Sequence, residues 1–436
     1  EFITSLLILG NTLSKSSLTI NENVNINLKS QVIEYFTTLA IQIFENFSVW
    51  KYQIDYEKYQ IGINIISFLK QIVQVKISVA NNTNNSVFEV FEPSLKKIVN
   101  SFLVGDINDL RAVSPLLLTI EQLSNPKMKL LTTSRSGLMA HRWISECFEF
   151  STQIVQLRSL SRANLPSNLE RELYSNLINL INVYLFNTSF RKQLLNLLTK
   201  LIQSNWNDKP PSVLTHLRTT HSIILLNCLY EDISTPTSNS DLKVALLNFL
   251  ASTMENNQKG LSLFLITGTI LPDAKSVVSE GKYSLFRLLR SLVANITDYT
   301  GKLTYHLLKS MLLCLSIWHG SCSDNDDMTF VEKLLDIIKN NTIAESAEPN
   351  LWKVEIIAKT VEIISLYLFV SRGKCKKCES KIFNLLNSSD FLHSLEAKFK
   401  IKLRDEQSIK LISEKFSKFS NGKFQLGQFL HIEQSK

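Results

Sequence analysis

Two thiols three residues apart, Cys375-Lys-Lys-Cys378, have the spacing in this chain that could most directly hold a metal or run redox chemistry. Structural zinc needs four ligands, and neither a second cysteine pair nor paired histidines follow; His393 stands alone. The flanking lysines would favour the thiolate, but no βαβ pattern surrounds the pair as in a thioredoxin-like site. The pair therefore reads as two incidental thiols at a helix start. His216 and His221 lie five apart, poorly placed to share a helix face, and no glutamate sits between them in metalloprotease fashion. Gly281-Lys282, Gly301-Lys302 and Gly422-Lys423 lack the upstream glycine and following hydroxyl of a phosphate loop. Asp324-Asn-Asp-Asp327 suits capping of the following helix better than weak calcium binding. GxSxG and GxGxxG are both missing from the sequence. The reading is a protein that is not an enzyme, with no catalytic residue, no metal site and no cofactor.

A different chemistry stands near the C-terminal end. Lys398, Lys400, Lys402, Arg404, Lys410, Lys415, Lys418 and Lys423 are interleaved with Phe399, Phe416, Phe419 and Phe424. Such a segment fits either contact with an acidic partner, a nucleic-acid backbone or a membrane surface, or an amphipathic terminal helix with a solvated lysine face. Lys398, Lys400, Lys402, Arg404, Phe416 and Phe419 are the candidate partner-binding residues. Residues 371–436 hold 14 Lys or Arg against 7 Asp or Glu, whereas residues 1–370 hold 33 against 32. The net charge of +8 is thus local, and the near-neutral body argues against a nucleic-acid face.

The elements that carry these residues read as helices throughout. The 436 residues exceed the size of one compact core, and 12 Gly and 9 Pro are too few for a turn-rich β or α/β fold. Hydrophobic residues at 44% and charged residues at 20% are ordinary for a folded protein. The six cysteines fall mostly within apolar runs, as reduced buried thiols would, and neither a secretory leader nor a transmembrane run is evident. A soluble protein of a reducing compartment is expected, its start without Met suggesting an internal piece of a longer chain.

In chain order, Phe2–Gly10 reads as a helix tail and Asn11–Asn27 as a loop. Apolar positions from Val32 to Phe47 recur at three and four residues, an amphipathic helix over 28–47. From Ile61 to about Val79 the apolar residues cover almost the whole circumference, which predicts an inner helix buried on several sides. Helices are expected over 88–104, over 106–124 with Pro115 as a kink, and over 138–160. Ser167 with Glu170 three residues on predicts a capped helix running to Phe186. Further helices are expected over 189–203, from Lys209-Pro-Pro-Ser212 to about Tyr230, and from Asp241 to Met254. The stretch Met254–Gly268 reads as a polar cap (Asn256, Asn257, Gln258), a short apolar turn and a closing glycine. Helices near 282–296, 302–318, 327–340, 350–371, 379–399 and 405–418 complete the series. No fixed sequence period accompanies them, so an irregular α-solenoid of HEAT- or armadillo-like pairs is predicted, continuous over residues 1–436 with 371–436 as a basic C-terminal segment.

Three stretches carry a resemblance: Phe47-Ser-Val-Trp-Lys-Tyr-Gln-Ile-Asp-Tyr-Glu-Lys-Tyr-Gln-Ile-Gly62; Leu157-Arg-Ser-Leu-Ser-Arg162 with Leu169-Glu-Arg-Glu-Leu173; and Asn257-Gln258 to Gly268. Together they resemble the large α-helical scaffold nucleoporins of the nuclear pore inner ring, and their order suits the middle or later part of such a chain. The resemblance implies a non-enzymatic scaffold at the nuclear envelope that binds linker and inner-ring nucleoporins, and transport receptors, in support of protein and mRNA transport. It implies no small-molecule substrate, no nucleic acid and only indirect membrane contact. The alternative is a karyopherin-like transport receptor or other HEAT-type adaptor, which would normally have an acidic body; an enzyme subunit ranks last.

Overall fold

The computed structural model describes residues 2–17, 26–79, 85–104, 109–126, 133–160, 167–204, 211–217, 219–235, 239–256, 258–269, 281, 283–298, 301–318, 324–343 and 351–387. Every regular element among the described residues is helical. The chain divides into two compact units, residues 1–288 and 289–436.

The first unit contains α1 (Phe2–Ser17), α2 (Ile26–Asn46), α3 (Asp55–Val79), α4 (Asn85–Val99), α5 (Ser114–Ser124), α6 (Arg135–Leu160), α7 (Asn168–Ser175), α8 (Leu177–Phe186), α9 (Arg191–Gln203), α10 (Val213–His216), α11 (Thr219–Ser234), α12 (Ser240–Glu255) and α13 (Lys259–Thr267). Its helices form two rows. One row runs α1, α3, α6, α9, α12, each packed on the next; the other brings α4, α2, α5, α8 and α11 together in the same manner. A helix inside such a stack has neighbours along its row and in the facing row, so it must be apolar on several sides. Helix α3 meets this condition. It is the helix among those described that is long and apolar enough to cross a membrane, yet it is enclosed by α1, α2, α4 and α6. Ile65, Ile66, Phe68, Leu69, Ile72 and Val73 are all buried within the protein.

In the second unit, α15 (Lys302–Ile317) packs on α17 (Leu351–Ser371), while α16 (Asp324–Ile343) packs on both α17 and α18 (Lys376–Leu386). The same two-row stacking recurs there. Helix α14 (Leu285–Ala294) spans the division between the units. The fold is the all-α solenoid type that the helix pattern predicted.

Local chemistry explains the boundaries, including several that differ from expectation. Helix α1 extends through Ser17, because Asn11 is absorbed by packing: its Nδ2 donates to the Asn64 carbonyl at 3.1 Å and its Oδ1 accepts from Gln71 at 3.1 Å. Pro115 opens α5 instead of kinking a longer helix, since its missing N–H is harmless in a first turn. The capping box forms as predicted: the Glu170 amide donates to Ser167 Oγ at 3.2 Å and the Ser167 amide donates to Glu170 Oε2 at 2.9 Å. The helix it starts ends at Ser175, however, and Asn176 separates it from α8. The helix expected to reach Tyr230 is likewise two pieces, α10 and α11.

The apolar turn expected within Met254–Gly268 is the helix α13. Gly268 ends it at φ 73°, a left-handed conformation suited to glycine, with its amide on the Phe264 carbonyl at 2.8 Å. Gln258 occupies the N-cap position of α13, but its side chain makes no cap hydrogen bond. Its buried amide side chain donates to the Pro211 carbonyl at 3.0 Å and accepts from the Val213 amide at 3.0 Å, tying α13 to α10.

Candidate partner-binding groove

The predicted partner-binding residues Lys398, Lys400, Lys402, Arg404, Phe416 and Phe419 lie outside the described residues, as do His393, Gly422 and the helix expected over 405–418. The groove with the clearest construction lies instead beside the aromatic junction that follows α2.

Phe44 and Phe47 anchor that junction inward. Their rings stack at 5.6 Å, Phe47 meets Trp143 edge-on at 5.4 Å, and Phe44 lies 6.1 Å from Phe102. The chain then closes a 3₁₀ turn over Phe47–Val49, and the Tyr52 hydroxyl donates to the Phe47 carbonyl at 2.6 Å. With the phenylalanines spent on the core, Ser48 and Val49 are left facing outward, and Val49 is 78% exposed. The opposite wall is the approach to α5, where the Val113 and Ser114 amides fold back onto the Leu110 carbonyl at 3.1 and 2.8 Å. Glu45, Ser48, Val49, Asp109, Leu110, Arg111, Ser114 and Leu118 enclose a groove of about 570 Å³.

Its charges are unequally satisfied. The Arg111 guanidinium grips the Asp109 carboxylate through Nε at 2.9 Å and Nη2 at 2.7 Å, and the Arg111 amide adds a third bond at 3.2 Å. Those bonds pull the Asp109 carboxyl down to about 2. Burial instead raises the Glu45 carboxyl, with Arg111 opposing and Asp109 reinforcing the shift. Smaller grooves lie between α6 and α9, about 350 Å³ lined by Glu149, Thr152, Gln153, Lys192, Gln193 and Asn196, and between α1 and α3, about 390 Å³ lined by Tyr56, Glu57 and Gln60 among others.

The buried ionisable groups serve a different purpose, clamping helix to helix. Arg158 on α6 lies 2.5 Å from Glu170 on α7, the two residues being 1% and 0% exposed. Its Nε–H is not aligned as a hydrogen bond, so the contact is ionic. Arg191 reaches Asp232 on α11 at 2.6 Å and the Tyr184 carbonyl at 3.0 Å, while the Tyr184 hydroxyl donates to Asp232 at 2.5 Å. In the second unit Arg290 meets Asp327 at 2.5 Å and the Tyr367 hydroxyl donates to the same carboxylate at 3.0 Å. Asp327, buried at 2% exposure, is thus a helix clamp, while the side chains of 324–326, the rest of the predicted cap of α16, lie outside the described ones. Reading the sequence residue by residue missed all three clamps. The available signal was a lone charge or tyrosine on an otherwise apolar helical face.

Cys375 and Cys378 are wholly buried thiols, not joined in a disulfide, at the start of α18 and set against the Tyr367 hydroxyl. No group of three or more His, Cys, Asp or Glu is placed to hold a metal among the described residues. His216 and His221 belong to the separate helices α10 and α11. Gly301 caps α15 and the Gly281 amide donates to the Thr267 carbonyl at 2.8 Å, both loop roles.

Residues 1–269 match the family described as Nucleoporin Nup188, N-terminal subdomain III. The chain is 25% identical over 419 residues to Nucleoporin NUP188 of Saccharomyces cerevisiae, covering 92% of this chain and 25% of the yeast protein. It is 25% identical over 273 residues to Nucleoporin nup184 of Schizosaccharomyces pombe, covering 61% of this chain and 17% of that protein. The chain therefore spans a quarter or less of the relatives it matches. It belongs to the Nup188 family of nucleoporins, helical scaffold proteins of the nuclear pore complex at the nuclear envelope. The inner-ring nucleoporin resemblance read from the sequence holds at family level.

Proposed function

We propose that this Nup188-family chain is a non-enzymatic scaffold segment that binds linear segments of linker and inner-ring nucleoporins in grooves between its helices. In that role it supports nucleocytoplasmic transport of protein and mRNA without itself carrying cargo.

The observation that carries this reading is the division of labour in the first unit. Buried aromatic clusters and ion-pair clamps are consumed in holding the helix rows together, and the side chains left outward line open grooves. Rigid stacks of this kind present apolar and polar contacts at fixed spacing, the condition for docking an amphipathic or extended partner segment. The basic segment at Lys398, Lys400, Lys402, Arg404, Phe416 and Phe419 is a second proposed contact, for an acidic partner surface.

A pull-down from nuclear-envelope extract with the purified chain, read by mass spectrometry, tests the reading. Linker and inner-ring nucleoporins are the expected catch. Recovery of cargo with a small GTPase and no nucleoporins would replace the scaffold by the transport-receptor reading.

A further inference from the structure

Glu45 lies in the last turn of α2, a helix with no basic residue in that turn. A carboxylate there faces the negative end of the helix dipole, which disfavours it. Among the described residues Glu45 has no hydrogen bond or ion pair, and the neighbouring cation, Arg111, has its guanidinium committed to Asp109. Burial raises the Glu45 carboxyl in accord with this poor setting. Arg111 cannot serve Glu45 fully without giving up a bidentate bond, so the groove retains one acid in need of a cation.

The same groove exposes aliphatic surface that folding did not use. Val49 at 78% and Leu118 at 42% exposure both line it, together with Leu110. The Ser48 and Ser114 hydroxyls add donors and acceptors for a backbone. An occupant that satisfies both features carries an aliphatic or aromatic side chain close in sequence to a lysine or arginine.

We propose that the groove between the end of α2 and the start of α5 docks a partner peptide whose Lys or Arg pairs with Glu45 while an adjacent apolar side chain packs between Val49 and Leu118. The proposal rests on the scaffold reading and adds the groove and the chemistry of the segment that enters it.

The test uses the full chain and a phage-displayed library of random short peptides. Enriched peptides are synthesised and their affinities measured by fluorescence anisotropy against the unaltered chain, Glu45→Lys and Leu118→Asp. Val49→Asp, at a largely exposed position, is a third variant that leaves the core untouched, and helicity by circular dichroism confirms folding of each. The expected winners hold Lys or Arg within about four residues of Leu, Ile or Phe and bind Glu45→Lys at least about tenfold more weakly. Exchanging the peptide cation for Glu restores binding to Glu45→Lys. Failure to enrich such peptides, or equal binding to all variants, overturns the assignment. Pull-downs with the same variants separate the two readings. If Glu45→Lys and Val49→Asp recover nucleoporins as fully as the unaltered chain, the scaffold role stands and this groove is not its docking site. If even the unaltered chain recovers none, the scaffold reading itself fails.

Discussion

Replacing Glu170 by Gln tests whether the α6–α7 clamp is held by charge. The substitution keeps size and shape, and glutamine can still serve a capping box, so the Ser167 amide retains its acceptor. What disappears is the counter-charge of the Arg158 guanidinium, which lies 2.5 Å from Glu170 at 1% exposure. Removing one partner of a buried pair leaves the other charge in low dielectric, a cost of about 3–5 kcal/mol. Arg158→Met should cost about as much by stranding the carboxylate, eased a little by the Ser167 hydroxyl bond at 2.6 Å. The double variant removes both charges, so it should fall within about 1–2 kcal/mol of the original chain. Because the chain has two compact units, a single melting curve does not report one equilibrium. Hydrogen exchange read by mass spectrometry on α6 and α7 peptides reports the local opening instead. Glu170→Gln should speed exchange there by about two to four orders of magnitude, with the double variant close to the original. A loss below about 1 kcal/mol, or a double variant as weak as the sum of the singles, would show that the pair behaves as an exposed surface bridge and refute the argument.

Gly62→Ala should destabilise the first unit by about 1–3 kcal/mol although alanine is the better helix former, because the overpacking cost exceeds the propensity gain. The new Cβ would lie 2.4 Å from Trp143 Cζ3 and 3.1 Å from Phe47, and exchange in α3 and α6 is the readout. His306 gives a pH dependence. Burial, with Lys302 and Lys309 behind it, pushes its imidazole from 6.5 down to about 4. The unfolded chain then binds the proton first as pH falls, so stability drops between about pH 6.5 and 4 and is level outside that window. The half-buried ring limits the effect to roughly 1–2 kcal/mol, and hydrogen exchange of α15 peptides at pH 7 and pH 5, corrected for intrinsic rates, should show a smaller loss of protection on acidification in His306→Gln than in the original chain. Finally, Cys375 and Cys378 should resist maleimide in the native chain and react at once in denaturant, with half-buried Cys228 labelling ahead of both. Native labelling of Cys375 by mass spectrometry would show that the start of α18 opens readily.

The sequence alone determined what depends on near neighbours. Apolar residues at three- and four-residue spacing made the helices legible, and the all-round apolar surface of Ile61–Val79 identified an inner helix before any contact was known. The Ser167–Glu170 box was legible because both of its bonds close within three residues. Where a proline, an asparagine or a glutamine had two locally acceptable roles, spacing could not choose between them. Pro115 became a helix start, Asn176 a break between α7 and α8, and Gln258 a tie to residues 47 and 45 positions upstream. The groove was less legible still. The junction after Phe47 was visible as a dense aromatic stretch, but not which rings the core would claim and which side chains it would leave outward. That choice, and the pairing of Arg158 with Glu170, Arg191 with Asp232 and Arg290 with Asp327, belongs to the tertiary structure. Helix formation is decided within about one turn of chain, whereas a clamp or a groove wall exists only after segments tens of residues apart have packed.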